Sequence, residues 1–207
     1  MKKIVLIGGG GHCVSVLDCI LCNGEYDDVV IVDSNLPVNS KIMGFSVVGN
    51  DSKLSDLKKS GFEYAFVTVG SIKTTNIRRR LAETADSLGF EFPVIRDPSA
   101  VVSKHSFLGK GSFVGKNAVI NANSKIGEHC IINTSSVIEH ECTVGAFSHV
   151  SVGAILCGNC TVGSDTFIGA GSKVIQCINI GCDVIVGAGS LVIGNIKDSM
   201  SVSGLIK

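Results

Sequence analysis

The chain has 207 residues, and its 18 lysines and arginines balance 18 aspartates and glutamates. Zero net charge argues against a nucleic-acid-binding protein, and 45 % hydrophobic against 17 % charged residues argues against intrinsic disorder. No apolar run is long enough to cross a membrane. Nine cysteines, an odd count without an export signal, indicate reduced thiols in a cytoplasmic protein.

Residues 1–97 alternate between strand and helix patterns. Such alternation predicts a small parallel sheet with helices on its faces, an α/β domain of Rossmann-like type. The predicted strands are 3–7, 29–32, 64–69 and 91–95, and the predicted helices are 14–21, 53–59 and 73–88.

A glycine-rich loop at 8–11 follows the first strand and opens the first helix. Backbone N–H groups at such a helix start can bind phosphate. Cys13 stands where a dinucleotide fingerprint has its third glycine, which disfavours NAD. Asp33 and Gly70 close the second and third predicted strands, at the same edge of the sheet as the loop. Asp33 could contact a ribose or a base there. A tight turn without a ligand is the alternative interpretation of the loop.

The pattern changes near Pro98, and 98–207 form the second predicted domain. A fixed six-residue period predicts a parallel β-helix in which three hexads make one triangular coil. The aliphatic residues should fill the axis, and the small residues two positions earlier should fit the tight interior. No insertion breaks the repeat, so an active site must lie on the coil surface, with a neighbouring subunit. The aliphatic positions are Val102, Leu108, Val114, Ile120, Ile126, Ile132, Ile138, Val144, Val150, Leu156, Val162, Ile168, Val174, Ile180, Val186 and Val192.

Residues 133–153 read NTSSVIEHECTVGAFSHVSVG and, with the front loop IGGGGH at 7–12, carry a family resemblance. They resemble the hexapeptide-repeat bacterial sugar O/N-acetyltransferases, a family that includes UDP-4-amino-sugar N-acetyltransferases and sialic acid O-acetyltransferases. The resemblance covers essentially the whole chain. It implies a left-handed β-helix, acetyl-CoA as co-substrate without a metal, and a homotrimer with sites between adjacent subunits.

His140 is the candidate general base. Histidine titrates near neutral pH, acyl transfer to an amine or hydroxyl needs a base, and His140 falls two residues after the inward Ile138, near a coil corner. Glu141 could orient the ring, and the resemblance assigns catalysis to this pair. A solvated Glu-His-Glu surface patch is the alternative.

Four further residues are candidates for acetyl-CoA binding. His149 precedes the inward Val150 and should point outward, and Gly158 allows a close backbone approach to the thioester carbonyl. The resemblance adds the main chain of Ala170 and Ala188. His105 and His129 match no motif and are expected in solvent, and Cys142 and Cys160, one coil apart, are expected to pack in the core.

The resemblance also assigns the front edge to a nucleotide-linked sugar. It implies transfer of acetyl to the 4-amino group of a UDP-linked amino-deoxy sugar for glycan or polysaccharide biosynthesis. O-acetylation of sialic acid, N-acetylation of GDP-perosamine and a non-catalytic sugar-nucleotide scaffold are the alternatives. The residues assigned to the sugar nucleotide are Gly11, His12, Cys13, Asp33, Ser34 and Gly70.

Overall fold

The computed structural model describes residues 1–207 and divides into two compact units. The front unit comprises 1–70 and 76–95, and the coil unit comprises 71–75 and 96–207. None of the helices is both long and apolar enough to cross a membrane.

The front unit is built on a five-stranded sheet of order β3-β4-β2-β1-β5. Strands β4, β2, β1 and β5 are parallel, and β3 pairs antiparallel with β4. The interior strand β1 is buried and apolar from Ile4 to Ile7, as expected when both faces of a sheet are covered. The strands are β1 (Lys3–Ile7), β2 (Asp28–Val32), β3 (Lys41–Ile42), β4 (Phe45–Gly49) and β5 (Tyr64–Val67), and the helices are α1 (Gly11–Asn23), α2 (Leu54–Lys59, after a 3₁₀ turn at Asp51–Lys53) and α3 (Asn76–Ser87).

The predicted α/β fold is confirmed, but one hairpin was not predicted and two local predictions are wrong. In the hairpin, β3 has two residues and is too short to show a period, and the sequence of β4, FSVVG, does not alternate strictly between apolar and polar residues. In the segment predicted as a strand at 91–95, Glu91 makes only an isolated bridge to Tyr64. Helix α3 begins at Asn76 rather than 73, because residues 71–75 belong to the coil unit.

The coil unit is a left-handed parallel β-helix with three faces. The first face contains β7 (Val101–Val102), β10 (Val119–Ile120), β13 (Val137–Ile138), β16 (Ile155–Leu156), β19 (Lys173–Val174), β22 (Leu191–Val192) and β24 (Leu205–Ile206). The second face contains β8 (Phe107–Leu108), β11 (Lys125–Ile126), β14 (Thr143–Val144), β17 (Thr161–Val162) and β20 (Asn179–Ile180). The third face contains β6 (Ile95–Arg96), β9 (Phe113–Val114), β12 (Ile131–Ile132), β15 (His149–Val150), β18 (Phe167–Ile168), β21 (Ile185–Val186) and β23 (Ser201–Val202).

The six-residue period is realised as two-residue strands whose second residue points into the axis. Neighbouring strands pair eighteen residues apart, as Ile120 with Ile138 and Ile138 with Leu156. From Val114 to Val192 every predicted inward aliphatic is at most 2 % exposed. The hexapeptide interpretation of the sequence is therefore confirmed.

The small inward residues also connect one coil to the next by hydrogen bonds. The Ser124 hydroxyl donates to the Glu139 carbonyl at 2.6 Å and accepts the Cys142 N–H at 3.2 Å. The Cys142 thiol in turn donates to the Cys157 carbonyl at 3.2 Å. Ser112, Ser148, Thr166 and Ser172 repeat the serine pattern. A hydroxyl or thiol at these positions forms hydrogen bonds with buried backbone groups. An alanine there could not form them.

Candidate active site

The glycine loop lies at the carboxyl end of β1. The sheet is built outward from this strand in both directions, with β2 on one side of it and β5 on the other. Open α/β sheets bind ligands at such a switch point. Gly8 has a φ of 110°, and a Cβ there would lie 2.6 Å from Val69 Cγ2, so only glycine fits. A Cβ at Gly10 or Gly11 would meet nothing within 4 Å. Gly10 caps α1 without a side-chain hydrogen bond, so the start of the helix presents N–H groups to an open surface.

Asp33 connects this loop to the end of β2. One carboxylate oxygen accepts the Gly9 N–H at 2.6 Å, and the other accepts the N–H groups of Asn35 at 2.7 Å and Leu36 at 3.1 Å. Burial alone would raise the pKa of Asp33, but these three hydrogen bonds outweigh it and the pKa is lowered. Asp33 is thus ionised and orders the glycine loop through these hydrogen bonds. The neighbouring Ser34 is exposed.

Cys13 does not fit its predicted contact with the substrate. Its side chain is fully buried on the sheet-facing side of α1 with Val16 and Leu17, as the helical spacing requires. Its N–H donates to the Gly10 carbonyl at 3.0 Å, and burial raises the pKa of its thiol to about 11. Cys13 is therefore a core residue beneath the loop. His12 is half-buried, and its Cβ lies 4.0 Å from where a Cβ of Gly70 would be.

His140 and Glu141 form a contact on a corner of the coil. His140 Nδ1 lies 3.2 Å from Glu141 Oε2, and the two side chains are 60 % and 57 % exposed. When Nδ1–H donates to this carboxylate, Nε2 is the nitrogen that can accept a proton. The His140 N–H lies 3.2 Å from Glu139 Oε2, so carboxylates flank the histidine on both sides.

Gly158 lies one coil above His140, and its lack of a side chain leaves room for the imidazole ring. A Cβ at Gly158 would stand 2.6 Å from both Cε1 and Nε2 of His140. The ring therefore lies across the glycine backbone, and no larger residue fits without moving it. The Asn159 N–H donates to the His140 carbonyl at 2.9 Å, which joins the two successive coils at this corner.

His149 is not the exposed outward residue that we expected. Its side chain does leave the coil axis, but the residue is only 9 % exposed. Nδ1 lies 3.1 Å from the Ser71 carbonyl, Nε2 lies 3.2 Å from Asn133 Nδ2, and the ring packs edge-on against Phe167. Ser71, which is distant in the chain, lies against the ring. Strand alternation predicts only the direction of a side chain, so it could not predict this burial. Asn133, which the sequence analysis did not single out, is thereby linked to a predicted site residue.

His129 is also buried, at 5 % exposure, against the expectation of a solvent position. Its ring stacks on Phe147, with centroids 4.8 Å apart and an angle of 22° between planes. The two residues are eighteen apart, so the repeat itself places them on successive corners. That spacing, applied to outward as well as inward residues, would have found the pair. His105 is exposed as expected.

The candidate acetyl-CoA residues occupy two different corners of the coil. Ala170 and Ala188 are exposed one coil apart on the corner that follows the third face. His140 and Gly158 are on the corner that follows the first face. One copy of the coil therefore does not gather these residues into a single compact site.

Two family models match the chain. The PglD N-terminal domain matches residues 3–85, and the bacterial transferase hexapeptide model of six repeats matches residues 105–140. No curated protein shows significant similarity in the comparison of sequences.

Solved structures match over nearly the full chain. The acetyltransferase domain of PglB from Neisseria gonorrhoeae FA1090 is 34 % identical, with 99 % of this chain and 97 % of that chain covered and a TM-score of 0.92. A histidine-to-alanine variant of GDP-perosamine N-acetyltransferase from Caulobacter crescentus, in complex with CoA and GDP-perosamine, is 36 % identical, with 99 % and 94 % covered and a TM-score of 0.92. WeeI from Acinetobacter baumannii AYE, at 16 % identity, 99 % and 97 % coverage and a TM-score of 0.76, shares the fold. The chain therefore belongs to the acetyl-CoA-dependent bacterial sugar acetyltransferases that join a PglD-type N-terminal domain to hexapeptide repeats.

Proposed function

We propose that the protein transfers acetyl from acetyl-CoA to the 4-amino group of a nucleotide-activated amino-deoxy sugar, for glycan or polysaccharide biosynthesis. The observation that carries the proposal is the contact between His140 and Glu141. Nδ1 of the ring lies against the carboxylate, and Nε2 lies beside the backbone of Gly158. It supplies one oriented base on a coil surface, as direct acyl transfer requires.

The reaction is a direct transfer. The sugar amine attacks the thioester carbonyl carbon, and His140 Nε2 takes the proton that the amine loses as the C–N bond forms. The C–S bond then breaks, coenzyme A leaves as the thiol after protonation, and the amide remains on the sugar. Glu141 holds the ring in the required tautomer and stabilises the imidazolium. The Gly158 backbone is the proposed contact for the thioester carbonyl, and Ala170 and Ala188 are proposed to bind acetyl-CoA through their main chains.

The domain of residues 1–97 is proposed to hold the nucleotide-linked sugar. Support comes from the open glycines at the start of α1, where Gly11 and His12 begin the helix. Asp33, Ser34 and Gly70 complete the proposed edge at the ends of β2 and β5. We propose the thiol-reducing cytoplasm as the location, since all nine cysteines are free.

The nucleotide is proposed to be UDP, with GDP as the second candidate. The second candidate has specific support, because a 36 % identical relative is a GDP-perosamine N-acetyltransferase solved with GDP-perosamine. The PglB acetyltransferase domain, at 35 % identity, has been solved in complex with acetyl coenzyme A.

The domain of residues 98–207 is proposed to assemble as a homotrimer, with acetyl-CoA between adjacent copies. The distribution of the candidate residues over two corners supports this, since a second copy could bring one corner beside the other. The outward residues of the first face are mainly apolar: Val101, Val119, Val137, Ile155, Lys173 and Leu191.

The test is thiol release from acetyl-CoA with a panel of UDP-linked amino sugars, GDP-perosamine and sialic acid. We expect release with a nucleotide-linked amino sugar, and a loss of roughly 10²-fold or more in His140→Ala, as for removal of a general base. Wild-type release with sialic acid alone, giving an ester that mild alkali cleaves, would replace the proposal by O-acetylation. Unchanged turnover in His140→Ala would overturn the assigned base.

A further inference from the structure

Glu139 brings a second carboxylate to the corner that carries His140. The His140 N–H donates to Glu139 Oε2 at 3.2 Å. The Glu139 carbonyl accepts the Ser124 hydroxyl at 2.6 Å, and the Glu139 N–H donates to the Leu156 carbonyl at 3.0 Å. Hydrogen bonds to the coil below and to the coil above therefore fix the backbone that presents this carboxylate, and the residue is half-buried. Glu141 orients the base in the proposed mechanism, whereas Glu139 has no role in it.

The corner has more negative charge than its own positive groups balance. His140 forms an ion pair with Glu141 when its ring is protonated, and no lysine or arginine forms an ion pair with either carboxylate. Asn121 and Cys157 occupy the position of Glu139 in the coils below and above. Burial and, to a lesser degree, the Glu139 charge raise the pKa of the Cys157 thiol, which therefore stays neutral. At least one carboxylate of this corner thus lacks a counter-charge.

The charges of the two proposed substrates indicate what supplies the counter-charge. Coenzyme A and a nucleotide-linked sugar both carry phosphates, which a carboxylate repels. The single cationic group among them is the 4-amino group of the sugar, since aliphatic amines are largely protonated at neutral pH. A hydroxyl acceptor has no charge for the carboxylate to attract, and sialic acid adds a carboxylate of its own. The charge of the corner therefore fits an amine acceptor.

We propose that Glu139 binds the 4-ammonium group of the acceptor and makes the enzyme prefer an amine to a hydroxyl. The inference rests on the proposed function, since it takes His140 to be the base of a sugar N-acetyltransferase. The bound ammonium loses one proton to solvent, and its lone pair attacks the thioester carbonyl carbon. His140 Nε2 takes the second proton as the C–N bond forms. The C–S bond breaks and coenzyme A leaves as the thiol after protonation, so each turnover releases one proton.

The attraction between Glu139 and the acceptor depends on pH through the acceptor. It is fully present below the pKa of the acceptor amine and is lost as pH rises through that pKa, because only the ammonium form is charged. The titratable groups that face Glu139 are His140 and Glu141 on its own corner and the thiols of Cys142 and Cys157. All four remain in a Glu139→Gln variant, so the ratio of the two enzymes isolates the Glu139 charge.

The experiment compares a charged acceptor with its uncharged counterpart. Steady-state kinetics on the full chain use the UDP-linked 4-amino sugar or GDP-perosamine, whichever the wild type turns over faster, and the same nucleotide sugar with a 4-hydroxyl as a competitive inhibitor. We expect Glu139→Gln to raise the acceptor KM about threefold to tenfold at about pH 6.5. The rise should shrink to less than about twofold at about pH 9.5, where the amine is mostly neutral. The inhibition constant of the 4-hydroxyl sugar and the KM of acetyl-CoA should not rise.

Two further variants serve as controls. Glu139→Asp keeps the charge and should hold the acceptor KM within about threefold of wild type. Glu128→Gln removes one charge from an exposed residue on the corner between the second and third faces and should match wild type.

An unchanged acceptor KM in Glu139→Gln at the lower pH would overturn the assignment. So would equal losses for the amino and hydroxyl sugars at both pH values, since they would mean that Glu139 only shapes the corner. Either result leaves acetyl transfer by the wild type and the role of His140 intact, so this failure is distinct from that of the proposed function. A wild type that acetylates no nucleotide-linked amino sugar overturns both.

Discussion

Glu141 occupies a corner position at which a side chain is under backbone strain. Its φ is 62°, in the left-handed region that asparagine and glycine tolerate best. The same position one coil below and one coil above is held by Asn123 and Asn159, with φ values of 60° and 57°. The chain therefore departs from its own preference at the residue that contacts His140. Cys177, one coil beyond Asn159, departs from asparagine in the same way, so the strain belongs to the corner position and not to Glu141 alone.

Exchange of Glu141 for asparagine should separate stability from activity. Glu141→Asn relieves the left-handed strain, so we expect the free energy of unfolding to rise by about 0.5–1 kcal/mol. Loss of the carboxylate that orients His140 should lower kcat about tenfold or more. Urea unfolding and steady-state kinetics on the same preparation measure the two effects.

Cys177→Asn is the matched control for this variant. Cys177 stands one coil beyond Asn159 at the same corner position, with a φ of 61° and an exposed side chain. The control should gain similar stability and keep wild-type kcat. A Glu141→Asn enzyme with full activity would show that the carboxylate does not serve the base.

At the scale of the element, the coil depends on polar groups inside its apolar axis. Four inward serines each bond a carbonyl fifteen residues on and an N–H eighteen residues on, as Ser124 does with Glu139 and Cys142; the other three are Ser112, Ser148 and Ser172. Backbone groups in the turns of each coil therefore have partners in the next coil. The carbonyl that Ser124 supports belongs to Glu139, directly before the candidate base.

Removal of the Ser124 hydroxyl should destabilise the coil. Ser124→Ala leaves a buried carbonyl without this donor, so we expect a loss of about 1–3 kcal/mol, measured as a lower urea midpoint at unchanged m-value. Ser124→Cys should recover much of the loss, because Cys142 and Cys160 already donate through a thiol to Cys157 and Ile175. Equal stability of wild type and Ser124→Ala would show that the ladder of hydroxyls contributes nothing.

The elements differ in how far sequence could predict them. The coil was predictable because each residue's direction follows from its place in a six-residue period. The β3–β4 hairpin was not, because β3 has only two residues and β4 shows no strict alternation of apolar and polar residues. His149 marks the same limit within the coil: its outward direction followed from Val150, but its burial depends on Ser71, 78 residues away in the chain. Glu141 is the next residue after His140, and the resemblance assigned the pair to catalysis; the 3.2 Å contact between them is seen in the structure.

At the scale of the whole molecule, the first and second faces of the coil differ in polarity. The outward residues of the first face are mainly aliphatic, with Val101 64 % and Leu191 41 % exposed. Those of the second face are polar after Phe107, namely Lys125, Thr143, Thr161 and Asn179. An extended, partly exposed apolar face favours association with another surface. The proposed homotrimer would bury this face in repeated heterologous contacts between copies.

A charge on the first face should therefore disrupt assembly. Val119 is half-buried on that face, on the second of its seven strands, between Val101 and Val137. Sedimentation equilibrium should give the mass of three copies for wild type, and Val119→Lys should weaken association by roughly 10²-fold or more, because an ammonium would be desolvated in the contact. Thr143→Lys places the same charge on the second face and should leave the trimer intact. Because the candidate residues lie on two corners, the dissociated variant should also lose acetyl-CoA affinity while its fold, followed by circular dichroism, persists. A trimeric Val119→Lys protein would mean that the copies meet through a different surface.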